Sequence, residues 1–389
     1  MSMKVRALLS FGVVLSAMWL SGCGHYVCHT TLGNATCTAS GSGKSSGTGG
    51  GNSISQTAFV YFVDPSASLM AMEGLNVANS QTFAPISSFV SPTVNVGIDF
   101  NGMVVVNERY LYLSSNDPDL YGFSIDASSG ALSAVTGSPY AVAGDSITAD
   151  PTGRFLFTGE PAGIHVFAIN SNGSLTEAKN SPFSNNGIMP TQLVSDGAGK
   201  YLYALAGNTI TEFSYNQSTG ALTMVGTLVP GMSMIASEKS GKYIFGITGA
   251  TAEVHVFGIG STGALAELSN SPSLTVLAPV YIAVDPNGTY VYTFNQSSFG
   301  ALAPSLPMEG YTLESNGSLT ALGTSPFTGL DASMGIFDQS GEYMFTVAQP
   351  PNLSIGEQFA YGVDTSTGAV SSTLPSAGAA GNYVVTDAP

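Results

Sequence analysis

Three cysteines and four histidines are the side chains of this 389-residue chain best suited to bind metal or move protons, and two of each stand together near the start. His25-Tyr26-Val27-Cys28-His29 is followed by Cys37. A c-type haem needs Cys-x-x-Cys-His, and the spacing from Cys23 to Cys28 does not supply it. A zinc site from His25, Cys28, His29 and Cys37 would crowd its ligands. A Cys28 to Cys37 disulfide fits an exported protein best, so no metal and no cofactor is expected. The other two histidines, His165 and His255, recur at one repeat position of equivalent segments, which suits a structural role.

Beyond the first 22 residues only two arginines remain, Arg109 and Arg154, and both stand just before an aromatic segment, a place they share with Lys200 and Lys242. Seven such segments recur: Phe59-Val60-Tyr61, Tyr110-Leu111-Tyr112, Phe155-Leu156-Phe157, Tyr201-Leu202-Tyr203, Tyr243-Ile244-Phe245, Tyr290-Val291-Tyr292 and Tyr343-Met344-Phe345. Their steps of 51, 45, 46, 42, 47 and 53 residues match the period of β-propeller blades. An acid and a glycine precede each of the later ones, as in Asp150-Pro151-Thr152-Gly153, and a second turn recurs as in Ser218-Thr219-Gly220-Ala221-Leu222. The reading is all-β: a seven-bladed propeller of four-stranded antiparallel blades over 56–389. The C-terminal strand from Tyr383 completes the first blade and leaves no open edge at the seam.

Ahead of the propeller, Lys4 and Arg6 precede the apolar run Ala7 to Leu20, too short to span a bilayer, and 1–22 reads as a signal peptide. Leu20-Ser21-Gly22-Cys23 resembles the bacterial lipobox, which makes Cys23 the lipidated residue and places the protein outside the cytoplasm on the outer membrane. Residues 23–55 then form a tether, Gly- and Ser-rich from Ala39 on. Without Lys4 and Arg6, seven basic residues face 25 acidic ones, a charge of −18. Phosphate binding needs clustered cations, so nucleic acid is excluded as a partner.

Asp285-Pro286-Asn287-Gly288-Thr289-Tyr290-Val291-Tyr292, the Val254-His255-Val256-Phe257 strand, the Ser-Thr-Gly-Ala-Leu turn and Ser181-Pro182-Phe183 as outer strand together resemble the lactonase-like seven-bladed β-propellers. The resemblance covers 58–389. It implies kinship with 6-phosphogluconolactonases and carboxymuconate cyclases, which act on lactones at the central channel. It also implies Arg and His at the start of inner strands, just ahead of the Asp-Pro turn. Counting back five and four places from each turn acid gives instead Val94 and Asn95, Asp145 and Ser146, Thr191 and Gln192, Ser233 and Met234, Val280 and Tyr281, Ser333 and Met334, Asn382 and Tyr383. None is Arg or His. Opening a lactone needs a base and groups that hold the oxyanion.

The expectation is therefore a monomeric binding module without turnover, taking a protein, peptide or neutral glycan. Its contact residues would be Asn95, Asp145, Gln192, Ser233, Tyr281, Ser333, Asn382 and Tyr383, with Phe294 and Phe299 on the long loop from Thr293 to Pro307. Second-to-third loops of about six residues in blades two to four make this loop and Thr346 to Gln358 the outliers. Two alternatives stay open. One is hydrolysis of neutral lactones with Asp145 as base and Tyr281 or Tyr383 as donor; the other is surface assembly or adhesion.

Overall fold

In the computed structural model, residues 58–64, 71–78, 82–85, 100–115, 119–295, 308–327, 332, 334–348, 357–371 and 384–387 are described. Ser146–Ala149, Phe155–Glu160, Gly163–Ile169 and Leu175–Glu177 form one antiparallel sheet in chain order. Sheets of the same plan begin at Phe100–Val106, Gln192–Ser195, Met234–Ser237, Pro279–Val284 and Met334–Phe337. A further sheet joins the two ends of the chain, in the order Val384–Asp387, Ala58–Asp64, Ala71–Ala78, Thr82–Pro85. Phe59 pairs with Asp387 and Phe62 with Val384 across its seam. The first strands of the sheets stand side by side in order, and Val384–Asp387 meets Met334–Phe337 on one side and Phe100–Val106 on the other. This is a propeller of four-stranded antiparallel blades.

Sheets packed on both faces bury their inner strands without alternation, and Gln192–Ser195 and Met234–Ser237 are buried throughout. Outermost strands such as Leu175–Glu177 are largely exposed. The recurring turn acid is a cap rather than a reactive group. Oδ1 of Asp150 accepts the N–H groups of Arg154 and Phe155, both at 2.6 Å, and Oδ1 of Asp196 accepts those of Lys200 and Tyr201 at the same distance. Glu238 and Asp285 repeat the arrangement. A carboxylate that satisfies the first two donors of the second strand explains the recurrence of an acid there.

The aromatic triplets bind each sheet to the next. The Tyr112 hydroxyl donates to Gly173 O at 2.7 Å, Tyr203 to Gly263 O at 3.0 Å and Tyr292 to Gly368 O at 2.8 Å, each reaching the second turn of the following sheet. The first aromatic of the triplet covers the same glycine, as Tyr201 covers Gly263, and its hydroxyl bonds Ser261 O at 2.8 Å. Burial pushes the Tyr112, Tyr203 and Tyr292 phenols well above their usual range. Tyr203→Phe leaves a buried carbonyl without its donor, and chemical denaturation is expected to show a loss of about 1 kcal/mol.

Four points depart from the sequence reading. Ser181-Pro182-Phe183 is not the outer strand: after Leu175–Glu177 the chain turns back, and Phe183 bridges Ile164 further along the third strand. Ser181 Oγ meanwhile accepts the Val166 N–H at 3.1 Å. In the sheet of Met234–Ser237 this return segment becomes a fifth strand, Ser273–Leu274. The second-to-third loops in the sheets of Ser146–Ala149 and Gln192–Ser195 are two-residue hairpins, because Gly163 directly faces Glu160 and Thr209 faces Ala206. The strand of the second repeat runs from Phe100 to Val106 and turns at Asn107 and Glu108, whose φ are 50 and 57°, in a three-residue loop closed by the Arg109 N–H donating to Val106 O at 3.1 Å, with Val106 paired to Tyr110. The residue five places ahead of that turn is Gly102, within the strand; Asn95 lies outside the described residues.

Glu212 also links sheets. Its carboxylate is 4% exposed, and Oε1 accepts the Leu265 N–H of the next sheet at 2.8 Å. Burial pushes its pKa up, and the Leu265 bond only partly opposes this. A carboxyl whose folded pKa is raised favours the folded state below its unfolded value and loses that contribution as pH rises through the folded value. Glu212→Gln keeps the acceptor without the charge, so its melting temperature is expected to exceed wild type at pH 7 and to match it near pH 4. Glu212→Ala is expected to melt lower at both.

Candidate functional site

Side-by-side inner strands bring the starts of successive sheets to one rim, where Asp145, Gln192, Ser233 and Tyr281 follow one another. Two of them are engaged by backbone. Gln192 is 1% exposed; its Nε2 donates to Ile235 O at 2.8 Å and its Oε1 accepts the Ile235 N–H at 2.9 Å, so it ties adjacent inner strands together. Ser233 Oγ donates to Ile247 O at 2.9 Å. Tyr281 is buried and meets Phe294 edge-on, with ring centroids 5.7 Å apart. Phe294 itself is fully buried in Tyr290–Asn295, so its place is the core beneath the rim and not an exposed ridge. Asn95, Phe299, Ser333, Asn382, Tyr383, Cys23, Cys28 and Cys37 lie outside the described residues.

Asp145 differs from its neighbours. Its N–H donates to Gly159 O at 2.7 Å, while its half-buried carboxylate has no hydrogen-bond partner among the described residues. Burial pushes the carboxyl above the usual aspartate range, and the Glu160 charge adds to this. Glu160 in turn meets His165: Nε2 lies 2.8 Å from Glu160 Oε1 and Nδ1 2.6 Å from Glu177 Oε1. The imidazole stacks on Phe167 at 6.0 Å. Acid, acid, imidazole and acid thus form a row from the channel mouth to the outer strand.

Sequence reasoning missed Glu160 and Glu177 and set His165 aside as structural. A signal existed: an acid follows twelve residues after each repeat histidine, Glu177 after His165 and Glu267 after His255. The partner His255 has Nδ1 2.7 Å from Glu267 Oε1, and its Nε2 is 3.8 Å from Glu253 Oε2. Ser233 holds the mouth position of that sheet.

The segments leading into the mouth carry exposed apolar side chains. Ile188 and Met189 precede Gln192 and are 40% and 42% exposed, Val229 precedes Ser233 at 71%, and Val276 precedes Tyr281 at 64%. These connectors, not the long loops named from sequence, supply the apolar rim among the described residues.

At the opposite end of the inner strands lies a cavity of about 340 Å³, walled by Val106, Ala149, Ala236, Val284 and Phe337 and ringed by the turn acids. Burial pushes the Asp196 and Asp338 carboxyls up, against the backbone N–H groups that they accept. The arginines stay on this side, at the first turns. Arg154 lies 5.7 Å from the Phe155 ring centre and donates from Nη1 to Gln217 O at 2.6 Å, while Arg109 lies 5.6 Å from that of Tyr110. Neither is at the mouth.

No family profile and no curated relative matches the sequence. Solved structures do match. A candidate 6-phosphogluconolactonase from Bacteroides uniformis is 18% identical with a TM-score of 0.61, over 83% of this chain and 96% of that one. The periplasmic gluconolactonase of Pseudomonas aeruginosa is 16% identical with a TM-score of 0.60, over 85% of this chain and 99% of that one. A protein from Lactobacillus plantarum is 12% identical with a TM-score of 0.61, over 84% and 99%. At these identities the likeness is one of fold, and the chain shares the β-propeller architecture of these three structures.

Proposed function

We propose that this protein is a lactonase-like propeller acting as a binding module, one that holds a neutral, hydroxyl-rich ligand such as a glycan, or a peptide, at the channel mouth without turning it over. The observation that carries this is the mouth itself: Asp145, whose carboxylate has no hydrogen-bond partner among the described residues, beside the neutral mouth residues Gln192, Ser233 and Tyr281 and near exposed Ile188, Met189, Val229 and Val276. A carboxylate accepts from adjacent hydroxyls, and apolar side chains cover the less polar face of a sugar or a peptide side chain. Arg109, Arg154, Lys200, Lys239 and Lys242 sit at the far turns and Lys179 lies beyond the outer strand Leu175–Glu177, so among the described residues no lysine or arginine stands at the mouth to hold a phosphorylated substrate.

In the same reading the sheets close one seven-bladed ring over 56–389, 1–22 is the export signal, Cys23 carries lipid, and Cys28 and Cys37 pair. The protein then works as a monomer outside the cytoplasm, tethered to the outer membrane. Titration of a methyl glucoside and of a neutral trisaccharide, followed by NMR, tests the mouth. Asp145→Asn is expected to weaken binding about tenfold, the worth of one charge-assisted hydrogen bond. Unchanged binding in Asp145→Asn sinks the assignment.

A second reading, hydrolysis of neutral lactones, is favoured by one feature: the raised Asp145 carboxyl beside Glu160 is the kind of group that takes a proton from water. It predicts lactone opening faster than the spontaneous rate, lost in Asp145→Asn with the melting temperature kept.

A further inference from the structure

We propose that Glu160, His165 and Glu177 are positioning residues that hold one proton beside the mouth and thereby set the charge of Asp145 toward a hydroxyl-bearing ligand. The inference rests on the mouth reading above and deepens it. Its base is geometric. Both ring nitrogens of His165 face carboxylate oxygens at hydrogen-bonding distance, 2.8 Å to Glu160 and 2.6 Å to Glu177. A neutral imidazole has one N–H and one lone pair, so beside two ionised carboxylates one of these contacts would oppose lone pair to lone pair. Both become charge-assisted hydrogen bonds when the ring carries two N–H groups.

The groups facing the ring are Glu160 on the second strand, Glu177 on the outer strand and Phe167 on its own strand; Ser146 pairs with Gly159 and the Asp145 N–H donates to Gly159 O at 2.7 Å, which sets Asp145 beside Glu160 across the first two strands. With the proton in place, Glu160 is paired and its charge on Asp145 is compensated. Without it, two unpaired carboxylates face each other and Asp145 holds its own proton more strongly. It then donates one hydrogen bond and loses acceptor strength.

The sheet of Met234–Ser237 shows that the clamp is not simply imposed by the repeat. There His255 makes one close contact, at 2.7 Å to Glu267, while Glu253 is 3.8 Å away, beyond hydrogen bonding. A neutral ring satisfies that arrangement, and its mouth residue is the uncharged Ser233. The doubly clamped histidine thus belongs to the sheet that has a carboxylate at the mouth.

The test is the pH titration of the Asp145 carboxyl carbon in full-length protein labelled at aspartate, its signal assigned by loss in Asp145→Asn. Glu160→Gln is expected to lower the Asp145 midpoint by about half a pH unit or more, and His165→Gln to raise it by a similar amount. Glu177→Ala removes one side of the clamp while the ring stays and is expected to shift the midpoint in the His165→Gln direction, which keeps the test if His165→Gln folds poorly. His255→Gln leaves it unchanged. A midpoint that stays within about 0.2 pH units in Glu160→Gln and in either clamp variant overturns the proposal. Methyl β-D-glucopyranoside is then added to wild type. Movement of the Asp145 signal supports the link to ligand; its absence, with the variant shifts present, sinks the mouth reading while the proton-holding row stands.

Discussion

Deletion of residues 382–389 is expected to abolish the cooperative melting of the whole propeller, not merely to loosen one sheet. The deleted stretch contains Val384–Asp387, which pairs with Ala58–Asp64 from Phe59↔Asp387 to Phe62↔Val384. Without it, Ala58–Asp64 has a free edge. Val384–Asp387 also stands between Met334–Phe337 and Phe100–Val106, so its loss opens the ring at the place where the ends of the chain are held together. The lost ladder bonds and packing are worth on the order of 5 kcal/mol, a large part of the stability of an ordinary domain. Calorimetry decides the matter: a soluble truncation with one sharp transition at the wild-type temperature contradicts this account of closure.

Gly263→Ala is expected to be the most damaging single methyl among the second turns. The backbone there has φ of +95°, and an added Cβ would lie 2.3 Å from Tyr201 Cδ1. The left-handed conformation alone costs about 1–2 kcal/mol for a residue with a Cβ. The ring must also move, and with it the hydroxyl that bonds Ser261 O at 2.8 Å; overpacking of this kind adds about 1–3 kcal/mol. Gly231→Ala is the matched control, because φ is +76° there but nothing lies within 4 Å of the added atom. Denaturant midpoints are expected to fall for Gly231→Ala by the left-handed cost alone and about twice as far for Gly263→Ala. Equal losses would show that the contact between triplet and turn does not hold neighbouring sheets together.

These two positions also mark what was legible in the sequence. Turn acids and turn glycines are read directly because they act on the backbone within five residues, as Asp150 does on Phe155. The triplets gave the period, but not their partners: that Tyr203 reaches the Gly263 carbonyl is a relation across sixty residues, set by how the sheets stack. The same limit hid Glu160 and Glu177. Each is ordinary in sequence, and only strand register carries them to the two nitrogens of His165. Phe294 looked like part of an apolar loop because it opens one, yet it stands next to last in a strand, Tyr290–Asn295, that is buried throughout, and its pairing opposite Tyr281 sets it in the core. The turn of the second repeat was misread, since Asp99 resembles the turn acids whereas the actual turn is at Asn107 and Glu108.

The apolar connectors were harder still. Val229 and Val276 belong to segments without a repeat: Val229 directly follows the outer strand Leu222–Leu228, and Val276 follows the return strand Ser273–Leu274, which the Ser-Pro pattern does not reveal.

The central claim, that the mouth binds without turnover, is tested most directly by the hydrolysis of neutral and 6-phosphorylated gluconolactone by the purified protein, measured against the spontaneous rate of each. The account predicts background rates with both, because the described cations lie away from Asp145 and the other mouth residues are neutral. Turnover of the phosphorylated lactone above background would contradict it, since that chemistry requires cations at the mouth.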